Sequence, residues 1–123
     1  MEWLNPHGET RQNLRCPVRL PLDYSENRGV RRGALVADIS EVGLRILSVH
    51  PIQIGTELKF RIYVSKEEFG FDSIEGSGKI IWRTLHQETE WKGFQCGLHV
   101  TEITPDDRER LGKLLKSNRE EAP

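Results

Sequence analysis

Along much of this chain, apolar and polar residues alternate one for one. Cys16, Val18, Leu20 and Leu22 fall on one face of residues 15–22, and Arg15, Pro17, Arg19 and Pro21 on the other. A period of two is the signature of a β-strand. Its two prolines lack a backbone N–H, so they mark it as an edge strand or a short one. Residues 23–29 (DYSENRG) read as a turn. A second strand is expected over 30–39, with Leu35, Ala37 and Ile39 on one side. Ser40 to Gly43 breaks it, and Val42, Leu44 and Ile46 start a third. The fourth alternates most cleanly, with Leu58, Phe60, Ile62 and Val64 against Lys59, Arg61, Tyr63 and Ser65. Residues 66–73 read as a polar loop. A fifth strand covers 74–85, where Gly76 and Gly78 predict a bulge or sharp bend. A sixth covers 94–101, with Phe94, Cys96, Leu98 and Val100 inward.

The last segment changes period. Thr104 suits a helix N-cap, Pro105 the first helical position, and Asp106 and Asp107 the positive end of the helix dipole. Ile103, Leu111, Leu114 and Leu115 form a helical apolar stripe. Six short antiparallel strands closed by one helix predict a mainly β fold, a small barrel capped by a helix. Residues 1–14 read as a polar arm, with Trp3 able to pin it to the body. Residues 15–118 form the domain and 119–123 a fraying tail.

Composition narrows the function. Thirty-six per cent apolar residues in 123 support one ordinary core. The longest apolar run, residues 34–37, is too short for a membrane span or a signal peptide, which implies a cytoplasmic protein. A net charge of −1 argues against bulk attraction to DNA, RNA or anionic membrane. Cys16 and Cys96 are expected as buried reduced thiols, and the scattered histidines form no metal site. No GxSxG, HExxH, P-loop or dinucleotide fingerprint is present, so catalysis and a cofactor are not expected. Trp91, Phe94, Leu111 and Leu114 read as core.

Two features remain. The first 45 residues hold seven arginines and no lysine, and the planar guanidinium suits bidentate binding of phosphate or a guanine edge. At a strand junction lies Asp38-Ile39-Ser40-Glu41-Val42-Gly43. Two residues apart in an extended chain, Asp38 and Ser40 share a face, and Gly43 permits close backbone approach or an unusual dihedral angle.

Together they resemble the PilZ domain family, bacterial receptors for the second messenger cyclic di-GMP. The family's RxxxR arm matches Arg11-Gln12-Asn13-Leu14-Arg15, and its (D/N)xSxxG motif matches Asp38 to Gly43. Cys16-Pro17-Val18 after Arg15, Ile54-Gly55, Ile81-Trp82 and Cys96-Gly97-Leu98 are similar too, so the likeness spans about residues 11–116. Arg15/Arg19 and Arg28/Arg32 also fit RxxxR, but only Arg11/Arg15 spans the junction between arm and strand, just before Pro17-Val18.

The resemblance implies a six-stranded antiparallel PilZ barrel with a C-terminal helix, in a stand-alone, non-enzymatic receptor. It implies cyclic di-GMP binding by Arg11, Arg15, Asp38, Ser40 and Gly43, with Arg45 as an added contact. Arginine bonds phosphate or guanine O6/N7, Asp38 accepts from guanine N–H groups, and the Ser40 hydroxyl does either. Each hydrogen bond to a charged group contributes about 1.5–3 kcal/mol, so losing both arm arginines costs about a hundredfold or more in affinity. The arm is expected to fold over the ligand and signal to an effector protein in motility, pilus, polysaccharide or chemotaxis machinery. Thr10 stands where a basic residue accompanies binding of a ligand dimer, which implies one ligand per chain. The alternative is a PilZ-like interaction module that does not bind cyclic di-GMP.

Overall fold

The computed structural model describes residues 16–26, 29–87 and 92–121, and the side chains of 18–26, 29–87 and 92–117. The expected arm with Trp3, Arg11 and Arg15, the Arg28 of the Arg28/Arg32 pair, Trp91, and the side chains of Cys16 and of the tail lie outside these residues.

The strands are β1 (Cys16–Glu26), β2 (Arg32–Ile39), β3 (Gly43–Ser48), β4 (Glu57–Tyr63), β5 (Ser73–Gln87) and β6 (Lys92–Glu102). All neighbours are antiparallel, and they close into a barrel in the order β1-β2-β3-β6-β5-β4. Closure removes the free edges that an open sheet would expose. A short helix α1 (Lys66–Phe69) stands where a polar loop was expected. The Ser65 hydroxyl caps its N-terminus, and Gly70 ends it with φ of 85°. The second helix, α2 (Pro105–Glu121), continues beyond the predicted boundary at residue 118. Its N-cap is as expected, since the Asp107 amide donates to the Thr104 hydroxyl at 3.1 Å.

The barrel interior is apolar. Leu22, Val36, Ile39, Leu44, Ile46, Leu58, Phe60, Ile62, Ile74, Ile80, Cys96 and Leu98 are buried there. Leu111, Leu114 and Leu115 of α2 are buried too, as their stripe predicted. The helix is tied to the barrel end by Arg110, whose guanidinium lies 5.2 Å from the Phe71 ring centroid and donates to the Ser73 carbonyl.

Two strands depart from their expected courses. The predicted turn at residues 23–29 begins too early, because β1 runs on to Glu26 and Tyr24 is buried in the core. Its hydroxyl is 3.1 Å from that of Ser48, so a polar tip is satisfied inside an apolar barrel. In β2 Val36 is buried and Leu35 exposed, the reverse of the expected face at that point, whereas Ile39 is buried as expected. The register explains this. Val36 pairs with Ile46 and Asp38 with Arg45, so two steps along β2 match one along β3. This β-bulge at Ala37 shifts the phase of alternation and still leaves Ile39 in the core. The expected irregularity near Gly76 and Gly78 is found as a register shift between Ser77 and Gly78.

Burial pushes the Cys96 thiol up to about 11 and also raises the Tyr24 hydroxyl. Both are neutral when folded and ionise more readily when unfolded. The Cys96 contribution is therefore complete below the ordinary thiol value of 9.0 and is lost as pH rises towards 11, while that of Tyr24 is lost only above its ordinary value of 10.0. Urea midpoints should hold steady to about pH 8 and then fall. The fall should be shallower in a Cys96→Ala variant. Equal slopes in the two proteins would contradict the assignment.

Candidate functional site

The bulge at Ala37 determines which side of the barrel carries charge. With unbroken alternation Asp38 would share a face with Val36, inside the core. The extra residue turns it to the outer face, directly across from Arg45 of β3. The Arg45 Nε–H donates to Asp38 Oδ2 at 2.7 Å. The Asp38 carboxylate is 7% exposed and the Arg45 guanidinium side chain 31%. The other carboxylate oxygen, Oδ1, is buried and has no hydrogen-bond partner among the described residues.

The polar contacts continue across the sheet. Arg45 Nη1–H donates to Gln95 Oε1 of β6 at 2.8 Å. The Gln95 amide nitrogen lies 2.9 Å from Nδ1 of His86 on β5. Asp38, Arg45, Gln95 and His86 thus form one row over four adjacent strands. Gly97 is the cross-strand partner of Arg45, and the Trp82 indole occupies the space its missing side chain leaves. A Cβ at position 97 would overlap that ring.

Beside this row is an open cavity of about 540 Å³, lined by Val18, Arg19, Leu35, Val36, Ala37, Arg45, Leu47 and His86. Apolar side chains thus stand next to guanidinium and imidazole groups. That combination suits a ligand with flat faces and an anionic or hydrogen-bonding rim. Arg19 reaches the cavity at a second irregularity, where β1 slips against β2 between Pro17 and Leu20.

Ser40 and Gly43 have a different part. Ser40 is fully buried. Its hydroxyl accepts from the amides of Val42 and Gly43, both at 3.3 Å, and its own amide donates to the Gly43 carbonyl at 2.9 Å. In this conformation the hydroxyl fixes the turn between β2 and β3. Positive φ occurs at Gly55 and Gly70 and not at Gly43. Arg11 and Arg15 are outside the described residues. Cys16, the residue after Arg15, pairs with Ile39, and Pro17 pairs with Asp38.

The structure therefore brings Asp38 and Arg45 together, with Ser40 and Gly43 supporting the turn beside them. Sequence reasoning missed Arg19, Gln95 and His86. The inward alternation of Phe94, Cys96 and Leu98 already implied that Gln95 faces outward.

Residues 9–117 match the family model described as PilZ domain. The chain belongs to the PilZ domain family. Solved structures of similar fold include the PilZ domain with c-di-GMP of YcgR from Escherichia coli. It has a TM-score of 0.74 at 11% identity, covering 92% of this chain and 94% of that one. The inhibitor of motility MotI/DgrA from Bacillus subtilis gives 0.72 at 18%, covering 94% and 54%. MrkH of K. pneumonia in its apo state gives 0.73 at 18%, covering 92% and 52%. This PilZ domain spans about half the length of the MotI/DgrA and MrkH chains. No curated protein sequence matches it. Among the described residues, no helix is long and apolar enough to cross a membrane, and no cluster of three or more His, Cys, Asp or Glu is placed to hold a metal ion.

The Asp38–Arg45 pair is a stability element in its own right. Arg45→Met leaves the buried carboxylate without its cation and should cost about 1–3 kcal/mol in urea denaturation. Adding Asp38→Asn removes the stranded charge and should recover part of that loss. Additive losses would show that the two residues are not coupled.

Proposed function

We propose that this PilZ domain is a receptor for cyclic di-GMP and binds it on the outer face around Asp38 and Arg45. One observation carries the reading. A buried carboxylate on the outside of a barrel has one oxygen held by arginine and the other, Oδ1, without a partner among the described residues. Leaving a buried acceptor unpaired is costly, so such a group favours a ligand that brings a donor. Guanine N1–H and N2–H are donors of that kind.

The remaining parts of the ligand have counterparts. Guanine faces suit the apolar wall of Val18, Leu35, Ala37 and Leu47. The phosphates call for cations, and Arg11 and Arg15 supply them from the segment that leads into β1. Because β1 begins beside Ile39, that segment joins the barrel next to the Asp38 site. Arg45 adds donors from below. Ser40 and Gly43 act by holding the turn that sets Asp38 in place. Binding draws residues 11–15 onto the ligand, and a partner protein reads the resulting surface. The reading is supported by the structure of similar fold from YcgR, a PilZ domain with c-di-GMP.

Calorimetry tests the reading. Cyclic di-GMP should give saturable heat with one ligand per chain. Arg15→Ala and Asp38→Ala should each weaken binding by about ten- to a hundredfold, the scale of one or two hydrogen bonds to charged groups. Absence of heat from the unmodified protein would refute the receptor reading and favour an interaction module that does not bind cyclic di-GMP.

A further inference from the structure

Arg45 bonds Asp38 on one side and Gln95 on the other, Gln95 in turn meets His86, and the chemistry of the line has only one consistent direction. Guanidinium is donor only, so Gln95 must turn its oxygen to Arg45, as the 2.8 Å contact shows. Its amide nitrogen, again donor only, is then left facing His86. His86 Nδ1 must therefore be the acceptor, and the ring's proton sits on Nε2. Each group fixes the orientation of the next, from His86 to Gln95 to Arg45.

The consequence falls on Asp38. Arginine and carboxylate readily form a two-point fork when nothing prevents it. Here Arg45 donates to Oδ2 through Nε–H alone and gives its Nη1–H to Gln95, so the guanidinium is held at two points while Oδ1 is unpaired. Two of the five guanidinium N–H bonds are engaged and the rest have no partner among the described residues.

We infer that Gln95, oriented by His86, is a positioning residue that fixes the plane of the Arg45 guanidinium against Asp38 and so sets the direction in which its remaining donors meet the ligand. This rests on the cyclic di-GMP reading of the same face. Gln95 lies nine residues from His86 and fifty from Arg45 in sequence, and only the barrel register brings the three together. Without Gln95, the guanidinium keeps a single anchor at Asp38 and its remaining donors no longer hold one direction.

The test combines calorimetry with the 15Nε–1H resonance of Arg45, which reports the geometry of its bond to Asp38 without any ligand. Gln95→Leu should weaken cyclic di-GMP about tenfold, the worth of one hydrogen bond to a charged group. It should also shift the Arg45 Nε resonance in the free protein. His86→Leu should do the same. His86→Asn, which can place an acceptor oxygen near the position of Nδ1, should restore both readouts. A Gln95→Leu protein with unchanged affinity and an unchanged Arg45 resonance overturns the inference. If the unmodified protein does not bind cyclic di-GMP, the receptor reading fails, and the Arg45 resonance still decides whether Gln95 and His86 position it.

Discussion

One extra residue in β2 determines what the outer face of this barrel can do. The bulge at Ala37 lets Val36 and Ile39 both lie in the core while Asp38 faces out against Arg45. Without it, a carboxylate would be forced into an apolar barrel at a cost of several kcal/mol. Otherwise Ile39 would lose its place in the core. The turn that follows is held by Ser40, so the bulge and the turn together fix the carboxylate from both sides. The DxSxxG spacing thus describes a local backbone device.

Under the proposed function, the binding residues come from the barrel and from the segment before it. Asp38, Arg45, Gln95 and His86 sit on four strands of a closed barrel, and Trp82 fills the gap over Gly97 beside them. Strand positions hold side chains well because neighbouring strands restrain them on both sides. The paired arginines of the arm instead belong to the segment before β1. Under the proposed cyclic di-GMP reading, the barrel wall recognises the ligand and the arm carries the phosphate-binding arginines.

Much of the fold was legible in the alternating pattern. The period of two in Leu58, Phe60 and Ile62 needed no correction, because both faces of β4 have simple environments. The α2 stripe and its Thr104 cap were equally direct. Tyr24 was not legible, because Asp23, Ser25 and Glu26 around it resemble turn residues, and its burial depends on a partner at Ser48 in another strand. The face of β2 was misjudged because a bulge shifts phase without a distinctive residue to announce it. In the site, Asp38 and Arg45 could be found because motif spacing and local sequence bring them close. Gln95 and His86 could not, since their roles arise only from the pairing of β5 with β6 beside β3.

The most direct test of the account is where cyclic di-GMP perturbs the backbone amides of the 15N-labelled protein. The account predicts large shifts at Ala37, Asp38, Arg45, Gln95 and Gly97, with the far side of the barrel around Lys59 and Ser77 unchanged. Shifts centred on that far side, with Asp38 and Arg45 silent, would contradict it.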